Sequence, residues 1–294
     1  MIFNLIIFSF ITFLFSEKKI NPEPIDFKKG IDIKPMLKDG LLINQISKPL
    51  SSLEIDLIKD RALKYIPEPI TDSDIVLIET SFGLLKAKLF NDVAPKHCLN
   101  FKKLANSGFY DETTFHRVIP NFMIQGGDIL SRDGDRENDG TGSPGWTVNE
   151  EFNNKKHLRG TLSMARSRDP NSAGSQFFIC VDNQPHLDGK YTVFGQLLDL
   201  DKSNSNVILN HIANALTESK YVYKLSVPTL PENADINKWI KLTNPKNRQP
   251  LYIEIPDGEK KASYKREMLS KLRSDNPIVP IKIKSIRVIN ELEK

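Results

Sequence analysis

Apolar and polar side chains alternate with a period of two between residues 74 and 89. Residues 75–78 are apolar, a turn with a glycine follows at 81–83, and Leu85, Ala87 and Leu89 then alternate with lysines. This pattern predicts a β-hairpin that keeps one side in solvent.

Further short apolar runs, separated by turns rich in glycine and proline, continue the β pattern. They lie at 122–125, 161–165, 176–180 and 192–196. A last alternating run at 281–288 changes phase at Ser285, which is typical of a β-bulge. Many short strands with few helices favour a closed or nearly closed β structure.

Three segments have the 3.6-residue period of a helix. They lie at 51–65, 95–108 and 206–216. The first has the capping-box spacing of Ser51 and Glu54 at its start. The second begins at Pro95, where the missing N–H of proline costs least, and ends at Gly108.

Residues 220–276 have a different character. Strand-like pieces at 221–227 and 251–255 stand between proline-rich turns, and a basic, helix-prone segment follows at 259–273. The basic segment is either a solvated helix face or a surface for an acidic partner.

The N-terminus predicts export. Residues 2–15 are nearly all apolar, Ser16 is a small residue suited to cleavage, and two lysines follow at once. The run is short for a transmembrane helix and has the length of a signal-peptide core. We expect a signal peptide at 1–16 and a periplasmic or secreted protein, with an uncleaved membrane anchor as the alternative. The segment 17–70 then forms an extension with one helix.

Composition and charge narrow the partners and cofactors. The chain has 294 residues, 39% hydrophobic and 27% charged, which is ordinary for a soluble globular protein, and its net charge of +4 gives no reason to expect nucleic acid. The histidines have no metal-ligand spacing, and a calcium-like loop that starts at Asp135 has Trp146 where a bidentate Glu is needed. We therefore expect no metal. Cys98 and Cys180 lie on apolar runs and are predicted to be core residues.

Five sequence blocks carry the most specific signal. They are FHRVIPNFMIQGGD at 115–128, GTG at 140–142, LSMA at 162–165, GSQFFI at 174–179 and LDGK at 187–190. In this order and at this spacing they resemble the cyclophilin family of peptidyl-prolyl cis/trans isomerases. The resemblance covers residues 74–217, and 281–289 is similar to the family's closing strand.

The resemblance implies a mainly β fold, a closed eight-stranded antiparallel barrel capped by two helices. It places this domain at 71–294, with residues 220–276 as an insertion before the last strand.

The resemblance also implies a site. Arg117 is the expected catalytic donor, with Gln125 and Phe122 beside it. Met123, Phe178 and Leu187 complete the family's proline pocket, and the expected groove residues are Ala165, Arg166, Gln176, His186, Tyr191 and Gly140. This chain departs from the common pattern at three of these positions. His186 occupies a position where many members have a Trp, Tyr191 one where many have a His, and Arg166 one where an Asn is common. These differences leave open which residues the site prefers on either side of the proline.

The implied activity is rotation of X-Pro peptide bonds in unfolded or flexible client chains, by a monomer without a cofactor. A second hypothesis from another class is a proline-peptide binding module or chaperone, in which the extra segments hold a partner and turnover is incidental.

Overall fold

The structure is a computed structural model that describes residues 37–38, 41–42, 49–200 and 204–293. The predicted signal peptide lies outside the described residues. The chain divides into two compact units, 1–43 and 44–294. In the first, β1 (Leu37–Lys38) pairs antiparallel with β2 (Leu41–Leu42). Among the described residues, no helix has both the length and the apolar character needed to cross a membrane.

The second unit is organised by one large antiparallel sheet. Its strands are β3 (Asp74–Thr80), β4 (Gly83–Leu89), β5 (Thr113–Thr114), β6 (Arg117–Ile119), β7 (Met123–Gly126), β8 (Thr161–Met164), β9 (Phe177–Cys180), β10 (Val193–Leu197) and β13 (Lys282–Asn290). They follow the order β5-β13-β3-β4-β10-β8-β9-β7-β6. The predicted hairpin is β3–β4, and the predicted bulge appears as a register shift between Ile283 and Ser285.

The sheet curls until its two edges lie close together, because only residues 115 and 116 separate the edge strand β5 from the opposite edge strand β6. The mainly β fold is confirmed as a curled half-barrel, whereas a fully hydrogen-bonded eight-stranded closure is not found. The physical reason is that β5 and β6 do not pair with each other, because the main-chain N–H groups beside their junction bond to other segments. Phe115 N donates to Ile281 O and Val118 N to Asp275 O, each at 2.9 Å.

Two helices pack on the curled sheet, as predicted. They are α2 (Pro95–Asn106) and α3 (Asn204–Ala213). A carboxylate from another part of the chain caps α2: Glu151 accepts hydrogen bonds from the main-chain N–H groups of Lys96 and His97 at 3.1 and 3.0 Å. This contact offsets the lack of a side-chain cap at Ala94.

The barrel core is aromatic. The Phe101 ring lies 5.1–5.4 Å from the rings of Tyr110, Phe177 and Phe194, all fully buried. Cys98 and Cys180 are buried free thiols, and burial raises the pKa of each to about 12. Their prediction as core residues is confirmed.

Helix α1 (Ser52–Lys64) has the predicted capping box, with Ser51 and Glu54 bonded reciprocally. Ile55 and Ala62 are buried in the barrel core cluster. Leu53 and Leu57 are 70% and 60% exposed, so this helix covers the barrel with only part of its apolar surface.

Residues 218–272 build a second hydrophobic core. The segment contains α4 (Glu218–Leu225), β11 (Trp239–Thr243), β12 (Pro250–Glu254) and α5 (Lys261–Lys271). Its buried members are Val222, Ile240, Leu242, Leu251, Ile253, Tyr264, Met268 and Leu272. The strand expected at 221–227 is wrong, since α4 occupies it. Its tyrosines and valine have high β propensity, but a helix here buries Val222 against the second core.

Candidate active site

Backbone pairing assembles the predicted catalytic residues. In the register of the sheet, Arg117 of β6 faces Gln125 of β7, and Gln125 faces Phe178 of β9. Residues paired across antiparallel strands share one face, so three strands place these side chains in a single row. Sequence segments that lie far apart therefore converge on one face of the sheet.

Arg117 is held by a chain of neutral amides. Its side chain is 47% exposed, and Nη1 donates to Gln125 Oε1 at 3.5 Å. Gln125 Nε2 donates to Gln176 Oε1 at 2.9 Å. Gln176 Nε2 in turn donates to the carbonyls of Gly140 and Gly142 at 2.9 and 3.0 Å. Three predicted residues and the 140–142 loop thus form one network that ends on the guanidinium.

The residues predicted to form the proline pocket make one apolar cluster beside this network. Met123, Phe178 and Leu187 form its buried part together with Cys180. The partly buried side chains packed against them are Ile119, Phe122, Ala165 and Tyr191. The structure therefore brings together every residue that the sequence assigned to the proline pocket.

The three departures from the family pattern lie at the rim of this pocket. His186 stacks on Phe122 with ring centroids 5.7 Å apart. Tyr191 meets Phe178 edge-on at 5.8 Å, and the Arg166 guanidinium lies 4.6 Å from the Tyr191 ring centroid. Aromatic and cation–π contacts of this kind fix the rim side chains in place.

Sequence reasoning missed the support under Phe178. The His157 ring stacks on Phe178 at 6.1 Å, while its Nδ1 lies 3.0 Å from Asp188 Oδ1 and its Nε2 lies 3.0 Å from Ser163 Oγ. Burial lowers the pKa of His157, and the His157 main-chain N–H lowers the pKa of Asp188 to about 2. Ser163 and Asp188 lie in the LSMA and LDGK blocks, but no motif marked His157, because its contacts join segments that are distant in sequence.

The Ser163–His157–Asp188 group has the composition of a hydrolase triad but not its exposure. Ser163 and His157 are 0% and 1% exposed. The Ser163 hydroxyl donates to Thr192 O at 3.0 Å, so it is neither reachable nor free to attack a substrate. The group supports the pocket and carries no nucleophile.

The calcium-like loop uses its carboxylates internally. Asp133 accepts from the Asp135 N–H at 2.8 Å, and Asp135 accepts from the Glu137 N–H at 3.0 Å. Within the described part of the chain, no group of three or more His, Cys, Asp or Glu side chains is placed to hold a metal ion.

The segment after α5 also reaches the site, which the sequence did not predict. Asp275 Oδ2 lies 3.8 Å from Arg117 Nε, and the Asp275 carbonyl accepts from Val118 N at 2.9 Å. The guanidinium is therefore contacted from two sides, by Gln125 of the barrel and by Asp275.

Comparisons with known proteins agree with this geometry. A family model described as cyclophilin type peptidyl-prolyl cis-trans isomerase matches residues 75–227. A peptidyl-prolyl cis-trans isomerase of Synechococcus elongatus is 49% identical over 123 residues, which are 42% of this chain and 79% of the relative. A peptidyl-prolyl cis-trans isomerase-like 1 protein of Aspergillus niger is 45% identical over 140 residues, 45% of this chain and 78% of the relative.

One further relative and one solved structure also match the chain. A probable peptidyl-prolyl cis-trans isomerase of Brucella suis is 43% identical over 128 residues, which are 42% of this chain and 65% of the relative. A solved cyclophilin type isomerase from Cryptosporidium parvum superposes with a TM-score of 0.49 at 29% identity, covering 73% of this chain and 98% of that one. The family model covers more than half of the chain, and the five sequence blocks meet at one site. The chain therefore belongs to the cyclophilin family of peptidyl-prolyl cis-trans isomerases.

Proposed function

We propose that this site rotates X-Pro peptide bonds in flexible or unfolded protein chains, with Arg117 as the catalytic donor and the adjoining apolar pocket as the seat of the proline ring. The protein acts as a monomer and needs no cofactor. The observation that carries the proposal is a guanidinium, contacted by Gln125 and Asp275, beside a buried apolar cluster.

The chemistry requires differential binding rather than bond cleavage. Resonance in the peptide bond gives a rotation barrier of about 18–20 kcal/mol. In the twisted state the proline nitrogen loses this resonance and gains a lone pair. A fixed cationic donor beside that nitrogen stabilises the twisted state more than either planar isomer, and therefore speeds exchange in both directions.

Each group of side chains at the site has its own role in the proposed reaction. Arg117 presents several N–H groups in the rigid, planar fork of a guanidinium. Met123, Phe178 and Leu187 exclude water from the ring, while Phe122 and His186 cover one edge. No proton is transferred, so the neutral, buried His157 and His116 have no acid–base part in the step.

The test is cis/trans exchange of a short Ala-Pro peptide, measured by NMR with wild type and with Arg117→Ala. We expect the substitution to lower kcat/KM by about a hundredfold, the usual loss when one transition-state donor is removed. The Arg117 side chain is 47% exposed, so its truncation leaves the core intact. Arg168→Ala, at an exposed arginine outside the pocket, is the matched control and keeps wild-type activity.

A folded wild type that binds the peptide without speeding exchange would overturn the catalytic proposal. That outcome would support a proline-peptide binding module, the alternative hypothesis.

Export is a separate proposal that rests on the apolar run at 2–15 and the small residue Ser16. N-terminal sequencing of the protein from its native cell tests it. A mature chain that begins after residue 16 supports cleavage, and a chain that begins at Met1 in the membrane fraction supports the uncleaved anchor.

A further inference from the structure

A second, polar groove opens beside the proline pocket. Its volume is about 830 Å³, and Arg117 and Gln125 lie in its wall together with side chains of α5. The α5 residues in the wall are Ser263, Arg266, Glu267, Ser270 and Lys271. These positions follow the i, i+3, i+4, i+7, i+8 spacing of one helix face. The groove therefore offers space along α5 for a peptide whose proline lies beside Arg117.

The opposite face of α5 anchors the helix. Tyr264, Met268 and Leu272 are buried in the second core, at 7%, 2% and 4% exposure. The charged face is thus presented toward the groove by a packed helix and not by a loose loop.

Hydrogen bonds fix this wall to the barrel. Asn276 Nδ2 donates to Asp139 Oδ2 at 2.5 Å, and Arg136 Nη2 donates to Pro277 O at 2.6 Å. Arg136 Nε also lies 3.3 Å from Glu218 Oε1 at the start of α4. Both sides of the groove are therefore held in register before any peptide binds.

The acidic side chains of the groove are mostly engaged. Glu218 pairs with Arg136, Glu267 lies 2.5 Å from Lys271, and Asp275 lies 3.8 Å from Arg117. Asp139 accepts the Asn276 amide, and burial raises its pKa to about 6. Among the five acidic residues of the wall, Glu137 is the one without a side-chain partner within the described residues.

Two cations of the groove remain available. Arg266 and Arg273 are exposed, and neither guanidinium makes an ion pair or hydrogen bond with another described residue. Both belong to the segment outside the family match, which ends at residue 227. Guanidinium groups bind carboxylates in a bidentate fork, and the hydroxyls of Ser263 and Ser270 lie in the same wall.

We propose that Arg266 and Arg273 form a specificity subsite for an acidic side chain of the client chain, near the proline that Arg117 acts on. The inference rests on the proposed function, since it assumes that the peptide lies across Arg117. It assigns residues 261–276 a share of the substrate groove in addition to their structural contacts.

The test uses short peptides with a single Ala-Pro bond that differ by Glu, Gln or Lys at one flanking position. At low salt we expect the kcat/KM of the best Glu peptide to exceed that of its Gln partner by roughly fivefold, the size expected for exposed charge pairs. High salt removes this ratio. In the double variant Arg266→Gln, Arg273→Gln the ratio falls to about one.

Lys265→Gln is the matched control. Lys265 is an exposed cation on α5 that does not line the groove, so its removal leaves the Glu-to-Gln ratio unchanged. A Lys peptide should be the poorest substrate of the set at the same position.

Equilibrium binding to Arg117→Ala separates this proposal from the catalytic one. The Glu peptide should bind this variant more tightly than the Gln peptide even though turnover is lost. Equal Kd values for both peptides at every flanking position, or a preference that survives in the double variant, would overturn the subsite. A wild type without turnover but with the binding preference would overturn only the catalytic proposal.

Discussion

The proline pocket and the polar groove lie side by side but are built in different ways. The pocket is made of buried apolar side chains and neutral amides on paired strands, and its residues lie in the segment that matches the family model. The groove takes one wall from an exposed helix face with charged side chains, anchored in a separate core. Backbone pairing fixes the pocket geometry, whereas the groove depends on side chains that can change without disturbing the sheet.

In the two proposals above, the pocket carries the chemistry and the groove selects the client peptide. A twisted-amide catalyst needs a rigid donor and a dry pocket, both of which follow from the barrel core. Preference for a client needs only exposed charges near the path of the peptide, and these affect discrimination and association more than the chemical step. Substitutions in the barrel should therefore lower activity toward every peptide. Substitutions in the groove should instead change which peptides are the better substrates.

The largest effect is expected for Gly127→Ala in the barrel. Gly127 has φ +85°, and an added Cβ would lie 2.5 Å from the Ser175 carbonyl oxygen, which is backbone and cannot move aside. We expect a loss of about 3–5 kcal/mol from the free energy of unfolding, as left-handed strain adds to overpacking. Urea unfolding measures the loss.

Gly258→Ala is the matched variant in the second region. Its φ is +87° and nothing lies within 4 Å of the added Cβ, so it has the strain without the clash. We expect a loss of about 1–2 kcal/mol. Equal losses for the two glycines would show that the Ser175 contact is not the cause.

Ile240→Ala tests whether the second core can loosen alone. Ile240 is fully buried in the cluster of 218–272, and the substitution should cost about 3 kcal/mol locally through the cavity that it leaves. Amide hydrogen exchange of β11 and β12 should accelerate roughly a hundredfold. Exchange in β7 and β9, and turnover of a neutral peptide, should stay near wild type.

Thr243→Ala, at an exposed position of the same strand, is the control and should leave exchange unchanged. If Ile240→Ala accelerated β7 and β11 equally, the two cores would be one cooperative unit, and the comparison between the regions would fail.

The two regions should also differ below neutral pH. Burial lowers the pKa of His97, His116 and His157, all in the barrel, whereas 218–276 contains no histidine. Below pH 6.5 a histidine in the unfolded chain binds a proton, whereas the same histidine in the folded chain binds it only at a lower pH. The barrel therefore loses stability as the pH falls below 6.5, by at most about 1.4 kcal/mol per pH unit for each group.

Asp139 acts in the opposite direction. Its pKa is raised to about 6, so the folded state binds this proton first and gains stability as the pH falls through 6. Hydrogen exchange between pH 7.5 and 5.5, corrected for intrinsic rates, should show faster opening of β7 and β9 than of β11 and β12. Barrel stability that stays constant or rises over this range would contradict the histidine assignment.

The pocket residues were predicted from the resemblance of five sequence blocks to the cyclophilin family, whereas the hairpin and the first barrel helix were predicted from local patterns. The β3–β4 hairpin follows from strict alternation, and α2 follows from a proline start and one apolar face. Pocket residues such as Phe122 and Met123 are neighbours in sequence, and one strand pairing adds Phe178. Patterns among residues that are close in sequence predict the local structure well, because the same residues remain neighbours in the folded chain.

The groove was harder to predict because it depends on contacts distant in sequence. The pairing of Asp275 with Arg117 arises only when the segment after α5 hydrogen-bonds to β6. The helix α4 was read as a strand because Tyr221, Val222 and Tyr223 favour strands, and tertiary packing overrode that preference. Similarly, the break between β5 and β6 involves main-chain bonds to residues 275 and 281, which no local pattern records.

The smallest effect is expected at the contact between the two regions. Asp275→Asn removes the carboxylate beside Arg117 Nε, an ion pair whose side chains are 47% and 36% exposed. Exposed pairs contribute at most about 1 kcal/mol, so we expect kcat to fall roughly twofold to threefold with KM nearly constant. Gln125 still holds Nη1, and the guanidinium is therefore loosened but not lost.

Asp257→Asn, at an exposed acid in the loop before α5, controls for the change in net charge and should leave kcat unaltered. A rise in kcat for Asp275→Asn would reverse the argument. The carboxylate would then draw the guanidinium away from the proline nitrogen, and the segment after α5 would restrain the catalyst. A fall in kcat means instead that this segment helps to aim the donor, so that the second region contributes to the chemistry of the first.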